Sequence, residues 1–146
     1  MTWSTEDGGP RRLQWVDGAR LAIAAGETLQ VTSRSMMVVT MVVVASPDDV
    51  FVLCHTGGDG AVSWVERVHP ETLETLATSE HLTGGPAWPG GTAVHPNGDI
   101  YVVFGNHAHR LNRSLQVVAT RELPRARPYN SFVVLPDGHL VTKDFG

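Results

Sequence analysis

A chain of 146 residues, 42% hydrophobic and 18% charged, has the length and apolar content to bury a core, which argues against a disordered protein. Eleven Lys and Arg against fifteen Asp and Glu leave a net charge of −4 with no basic stripe, so nucleic-acid binding has no electrostatic footing. Cys54 is the single cysteine, which rules out an internal disulfide or a thiolate metal cluster and favours a reducing, cytoplasmic setting.

Residues 1–12 are polar, lack the apolar centre of a signal peptide, and are expected to be a flexible segment. Residues 13–35, with an Asp17-Gly18 turn, are expected to hold strands of a partial unit. The most apolar stretch, 36–45, is ten residues long and rich in β-branched Val and Thr. A membrane-spanning helix needs about 20 apolar residues, so this stretch predicts a buried strand and no membrane partner. It runs into Ser46-Pro47-Asp48-Asp49 and returns over 50–54. A second hairpin follows, from 62–68 through His69-Pro70-Glu71-Thr72 into 73–78. Glu71 to Glu80 is the one stretch with any helical character, but its alternation (Leu73, Thr75, Ala77) predicts a strand.

The next copy starts at 92–94, turns at His95-Pro96-Asn97-Gly98 and returns over 99–104. Its second hairpin spans 107–111, Asn112-Arg113-Ser114 and 115–120. A last hairpin covers 132–135, Pro136-Asp137-Gly138 and 139–143. Pro presets φ early in such a turn, and Asn-Gly or Asp-Gly supplies the positive φ that a hairpin requires. Pro96, Gly98, Val94 and Ile100 each have a counterpart 40 residues on, at Pro136, Gly138, Val134 and Leu140. Two hairpins per copy make four strands, and a period of about 40–50 residues is that of propeller blades.

The fold class is therefore all-β: a partial β-propeller of four-stranded antiparallel blades over 13–146. Its units are expected at 13–35 (partial), 36–89, 90–128 and 129–146 (partial). Closed rings typically contain about 4–8 blades. The chain is expected to be a fragment of a longer protein or to complete itself by association, because open sheet edges invite further pairing.

The run Tyr129-Asn130-Ser131-Phe132-Val133-Val134-Leu135-Pro136-Asp137-Gly138-His139-Leu140-Val141-Thr142-Lys143-Asp144 resembles a blade of the six-bladed gluconolactonase and senescence-marker (regucalcin) family. Strictosidine synthase-like and NHL-repeat propellers are close in pattern. Residues 91–103 resemble the same blade. The resemblance implies a metal-dependent lactonase or esterase, in which one divalent ion, Ca²⁺ or Zn²⁺, polarises the ester and activates water. It also implies that Asn130, opening an inner strand, is a metal ligand. The matching position of the preceding unit is Gly90, and no carboxylate precedes Met37, so the remaining ligands and the activity would need parts absent from this chain. Asp144 stands where such blades carry an Asp, with a structural hydrogen bond as its simpler role.

Other candidates come from the residues themselves. Asn130 can equally cap the strand it opens. His107 and His109, at i and i+2, share a strand face and could together bind a ligand or metal, or form a polar face. His55, His95 and His139 border turns and are expected at the surface. Cys54 ends an apolar strand and is expected to be a small buried hydrophobe. Trp64 and Trp88 could line a channel but suit packing between sheets. No Gly-x-Ser-x-Gly elbow is present, and the run Thr56-Gly57-Gly58-Asp59-Gly60 lacks the lysine of a phosphate loop. Two functions remain: a lactonase or esterase fragment, or a non-catalytic propeller scaffold that binds a protein or small molecule.

Overall fold

The computed structural model describes residues 3–8, 13–15, 18, 22–85 and 90–145. These residues form ten strands in three antiparallel sheets, one short 3-10 turn at Glu6–Gly8, and no α-helix. The first sheet contains β1 (Val38–Ser46), β2 (Asp49–His55), β3 (Ser63–Val68) and β4 (Thr75–Thr78) in sequence order. The second repeats it with β5 (Gly91–Val94), β6 (Ile100–Phe104), β7 (His107–Leu111) and β8 (Val117–Glu122). The third has only β9 (Tyr129–Val134) and β10 (Leu140–Asp144). The chain is all-β, and its sheets do not close on themselves but follow one another as propeller-like blades.

The 40-residue repeat is visible bond by bond. His95 N–H donates to the Asp99 carbonyl and Gly98 N–H to the His95 carbonyl, both at 2.9 Å. Leu135 with His139, at 2.8 Å, and Gly138 with Leu135, at 2.9 Å, make the same pair of bonds. Asn97 Oδ1 and Asp137 Oδ1 each accept the amide two residues on, as Asx turns do. Gly98 and Gly138 have φ of +92° and +86°, a region that L side chains avoid. The first sheet turns more tightly, pairing Ser46 with Asp49 around Pro47-Asp48.

The sheets stack face to face because each strand alternates its side chains. Phe51, Leu53 and Val65 of the first sheet meet Ile100, Val102, Phe104 and Leu111 of the second in one buried cluster. Asp49 reinforces this seam, bridging Arg67 of its own sheet at 2.8 Å and Arg113 of the next at 3.1 Å. The other face of the second sheet supplies Ala93 and Val103, which pack on Tyr129, Phe132 and Val134 of the third. Gly105 joins all three units. Asn106 N–H donates to the Gly84 carbonyl at 3.1 Å, and Tyr129 N–H to the Gly105 carbonyl at 2.7 Å. A side chain on Gly105, whose φ is +55°, would run into the backbone of Gly84.

Two segments were expected before the first full unit. In the first, Trp3 and Val44 exchange backbone hydrogen bonds of 2.7 Å, and Val94 N–H donates to the Ser4 carbonyl at 2.8 Å. Residues 3 and 4 thus lie across the free edges of β1 and β5. In the second, the described residues of 13–35 contain no strand. Glu27 N–H instead closes a turn on the Ala24 carbonyl at 3.0 Å, with Gly26 at φ +90°. Asp17, of the expected Asp17-Gly18 turn, lies outside the described residues, as does Trp88.

Candidate functional site

Asn130 is the second residue of β9 and is half-buried. Its Oδ1 accepts the N–H of Ser131 at 2.8 Å, and its carbonyl accepts the hydroxyl of Thr142 on β10 at 3.1 Å. The side chain therefore caps a backbone donor of its own strand, which leaves its amide oxygen committed locally. Asp144 holds Arg125 of the β8–β9 connection at 2.9 Å, and that hydrogen bond keeps its carboxyl below the usual carboxylate range.

His107 and His109 do share a face of β7, and their rings stack with centroids 6.0 Å apart. They are not free to ligate together. His109 is buried, with Nε2 2.7 Å from the Thr83 carbonyl and Nδ1 3.0 Å from Thr120 Oγ1. Since a carbonyl only accepts, Nε2 carries the proton and Nδ1 accepts the Thr120 hydroxyl. Burial pushes the pKa of His109 down, and neighbouring His107 adds to that, while the Thr83 carbonyl and Glu80 oppose it. His107 Nδ1 lies 2.8 Å from Asn106 Oδ1. The pair faces the first sheet, whereas Asn130 belongs to the unit packed on the opposite face. The candidates are not brought together.

Two histidines expected at the surface are not there. His55 is 6% exposed and packs on Phe104 with ring centroids 5.1 Å apart, because the inward period of β2 carries it into the seam. His95 is half-buried, with Nε2 2.9 Å from the Gly138 carbonyl, and so ties the second repeat to the third. His139 is exposed. Cys54 is buried, and desolvation raises its thiol to about 11, with Glu66 adding to the rise and Arg34 opposing it.

One polar cluster escaped the sequence reading. Glu66 is 8% exposed on the outward face of the first sheet. It accepts Trp64 Nε1 at 3.0 Å, Thr75 Oγ1 at 2.7 Å and the Arg34 guanidinium at 2.7 Å. Burial works against its charge, but the hydrogen bonds from Thr75, Trp64 and Arg34 together hold its pKa below the ordinary value. Arg34 also donates to the Leu73 carbonyl at 2.7 Å. The available signal was a charged residue in phase with Trp64 and Val68 on one strand face.

No family model, curated protein or solved structure matches this chain. Chemistry must therefore be judged from the geometry. Among the described residues, no three His, Cys, Asp or Glu side chains come together as metal ligands, and Asn130 is already bonded. A hollow of about 370 Å³ lies beside Tyr101, Ala108, Arg110, Ala119 and Leu140, where the third sheet has no strand beyond β10 among the described residues. No helix of the described residues is long and apolar enough to cross a membrane.

Proposed function

We propose that this chain is a non-catalytic scaffold of propeller blades whose role is association through its sheet faces and edges. The observation that carries this reading is the division of its chemistry. Asn130, His109 and Glu66 are each engaged within the frame, while apolar surface remains open. Val39 and Val42 are 41% and 44% exposed on the outward face of the first sheet, Leu76 on β4 is 52% exposed, and Val141 on β10 is 51% exposed. Such clustered apolar exposure marks interaction surfaces in soluble domains. The buried, unpaired Cys54 supports a reducing and cytoplasmic setting.

The competing reading is a lactonase or esterase that uses Asn130 and a divalent ion. The two separate in one thermal-melting experiment. The scaffold reading expects the same melting temperature with EDTA, Ca²⁺ or Zn²⁺, because no ligand set would link folding to metal. A rise of several degrees with Ca²⁺ or Zn²⁺, abolished by Asn130→Ala, would instead establish a metal site and overturn it.

A further inference from the structure

The first and second sheets share one register, but their matching faces are covered in different ways. Val50 pairs with Val68, Val52 with Glu66 and Cys54 with Trp64 in the first sheet. Ile100 pairs with Leu111, Val102 with His109 and Phe104 with His107 in the second. Ile100, Val102, Phe104 and Leu111 are buried against the first sheet. Their counterparts Val52, Cys54 and Val68 form a separate buried cluster, 6%, 0% and 2% exposed, on which no sheet of the described residues packs.

The chain that enters β1 lies there instead. Met36 packs on the cluster, and two residues earlier Arg34 donates to Glu66 Oε2 and to the Leu73 carbonyl, both at 2.7 Å. Gln30 and Thr32 line a hollow together with Pro70, Glu71 and Leu73 of the β3–β4 turn. Residues 30–36 therefore cross the sheet on a diagonal, from that turn to the start of β1, where Val38 stands opposite His55. The sheet beneath is trimmed. Cys54 stands where the second sheet has Phe104, and Val50 and Val68 where it has Ile100 and Leu111. Those smaller side chains leave volume that the side chain of Met36 takes up.

We propose that residues 30–36 are a displaceable strap, latched by Arg34 on Glu66, whose release uncovers Val52, Cys54 and Val68 while the sheets stay folded. The segment is held at few points. Among the described residues, 28–36 form no backbone–backbone hydrogen bond, and 29–35 are exposed. A stretch tied by one side chain and one apolar contact opens locally, well before ladders such as β2–β3 do. The anchor survives the release. Trp64 Nε1 and Thr75 Oγ1 still donate to Glu66 when Arg34 leaves, so its carboxylate keeps its place and the strap can close again. The strap thus withholds an apolar face, which goes beyond the association reading, whose surfaces are already open.

The test follows the labelling of Cys54, the single thiol, by an excess of an aromatic disulfide reagent on the full chain in rising sub-denaturing urea. Labelling through strap opening should depend little on urea, because little surface is exposed. Arg34→Ala should speed it about tenfold or more, the scale of a lost hydrogen bond to a charged group, with an unchanged circular dichroism spectrum. Glu66→Gln keeps the shape of the anchor and should give a smaller rise. A control chain with Cys54→Ala and Ala93→Cys carries its thiol in the seam between the second and third sheets, and Arg34→Ala should leave its labelling unchanged. Cys54 labelling with the steep urea dependence of global unfolding, equal rates with and without Arg34, or equal acceleration in the control chain would each overturn the strap.

Discussion

The two seams of this molecule are built by the same principle and differ in completeness. Between the first and second sheets, strands face strands along the whole width, and Phe51, Leu53, Ile100 and Phe104 are fully buried. Between the second and third, the cluster stops at β10, and Tyr101, Ala108 and Leu140 are only partly covered. The second sheet thus presents one finished face and one half-finished face. A blade's stability then depends on what its neighbour brings as well as on its own hydrogen bonds. That is the expected behaviour of repeat proteins, whose cohesion is divided between units and their interfaces.

The sharpest way to break this comparison is to cut the same side chain from each seam. Phe104→Ala should cost about 3–5 kcal/mol in urea unfolding and weaken the whole chain, since its cavity cannot refill. Phe132→Ala removes the same group at the open seam, where water already reaches the edge. It should cost less, about 2–3 kcal/mol, and loosen residues 129–144 ahead of the rest. Equal costs and a single shared transition would show that the seams do not differ.

A smaller effect sharpens the finished seam. His109 links β7 to Thr83, and burial lowers its folded pKa below its unfolded value of about 6.5. The folded state therefore binds fewer protons than the unfolded one. Its contribution is complete above pH 6.5 and lost as pH falls through the folded value. His109→Gln should flatten stability between pH 5 and 7 while costing about 1 kcal/mol at pH 7.5. An unchanged acid slope would remove His109 from the account.

Much of the frame was legible in the residues, for a local reason. The Pro-Asn-Gly and Pro-Asp-Gly corners carry their geometry in three or four side chains, so Gly98 and Gly138 announce the repeat without tertiary help. Alternation likewise gave β2, β6 and the strand over 75–78 in place of a helix. The site was much less legible. Whether Asn130 or His109 is available depends on where Ser131 N–H, Thr83 and Thr120 stand, and the last two approach from other parts of the chain. His55 was misplaced because a residue beside a Gly-rich loop suggests exposure, while its position in the period of β2 turns it inward. Residues 13–35 carry strand signals without a strand among those described, since a strand needs a partner as well as a pattern.

The most direct measurement of that last point is residue-resolved amide hydrogen exchange on the full chain. The account predicts slow exchange in β2, β3, β6 and β7, and faster exchange over residues 22–33, which form no strand, and in β10. Protection over residues 22–33 and β10 equal to that of β2 and β6 would contradict it.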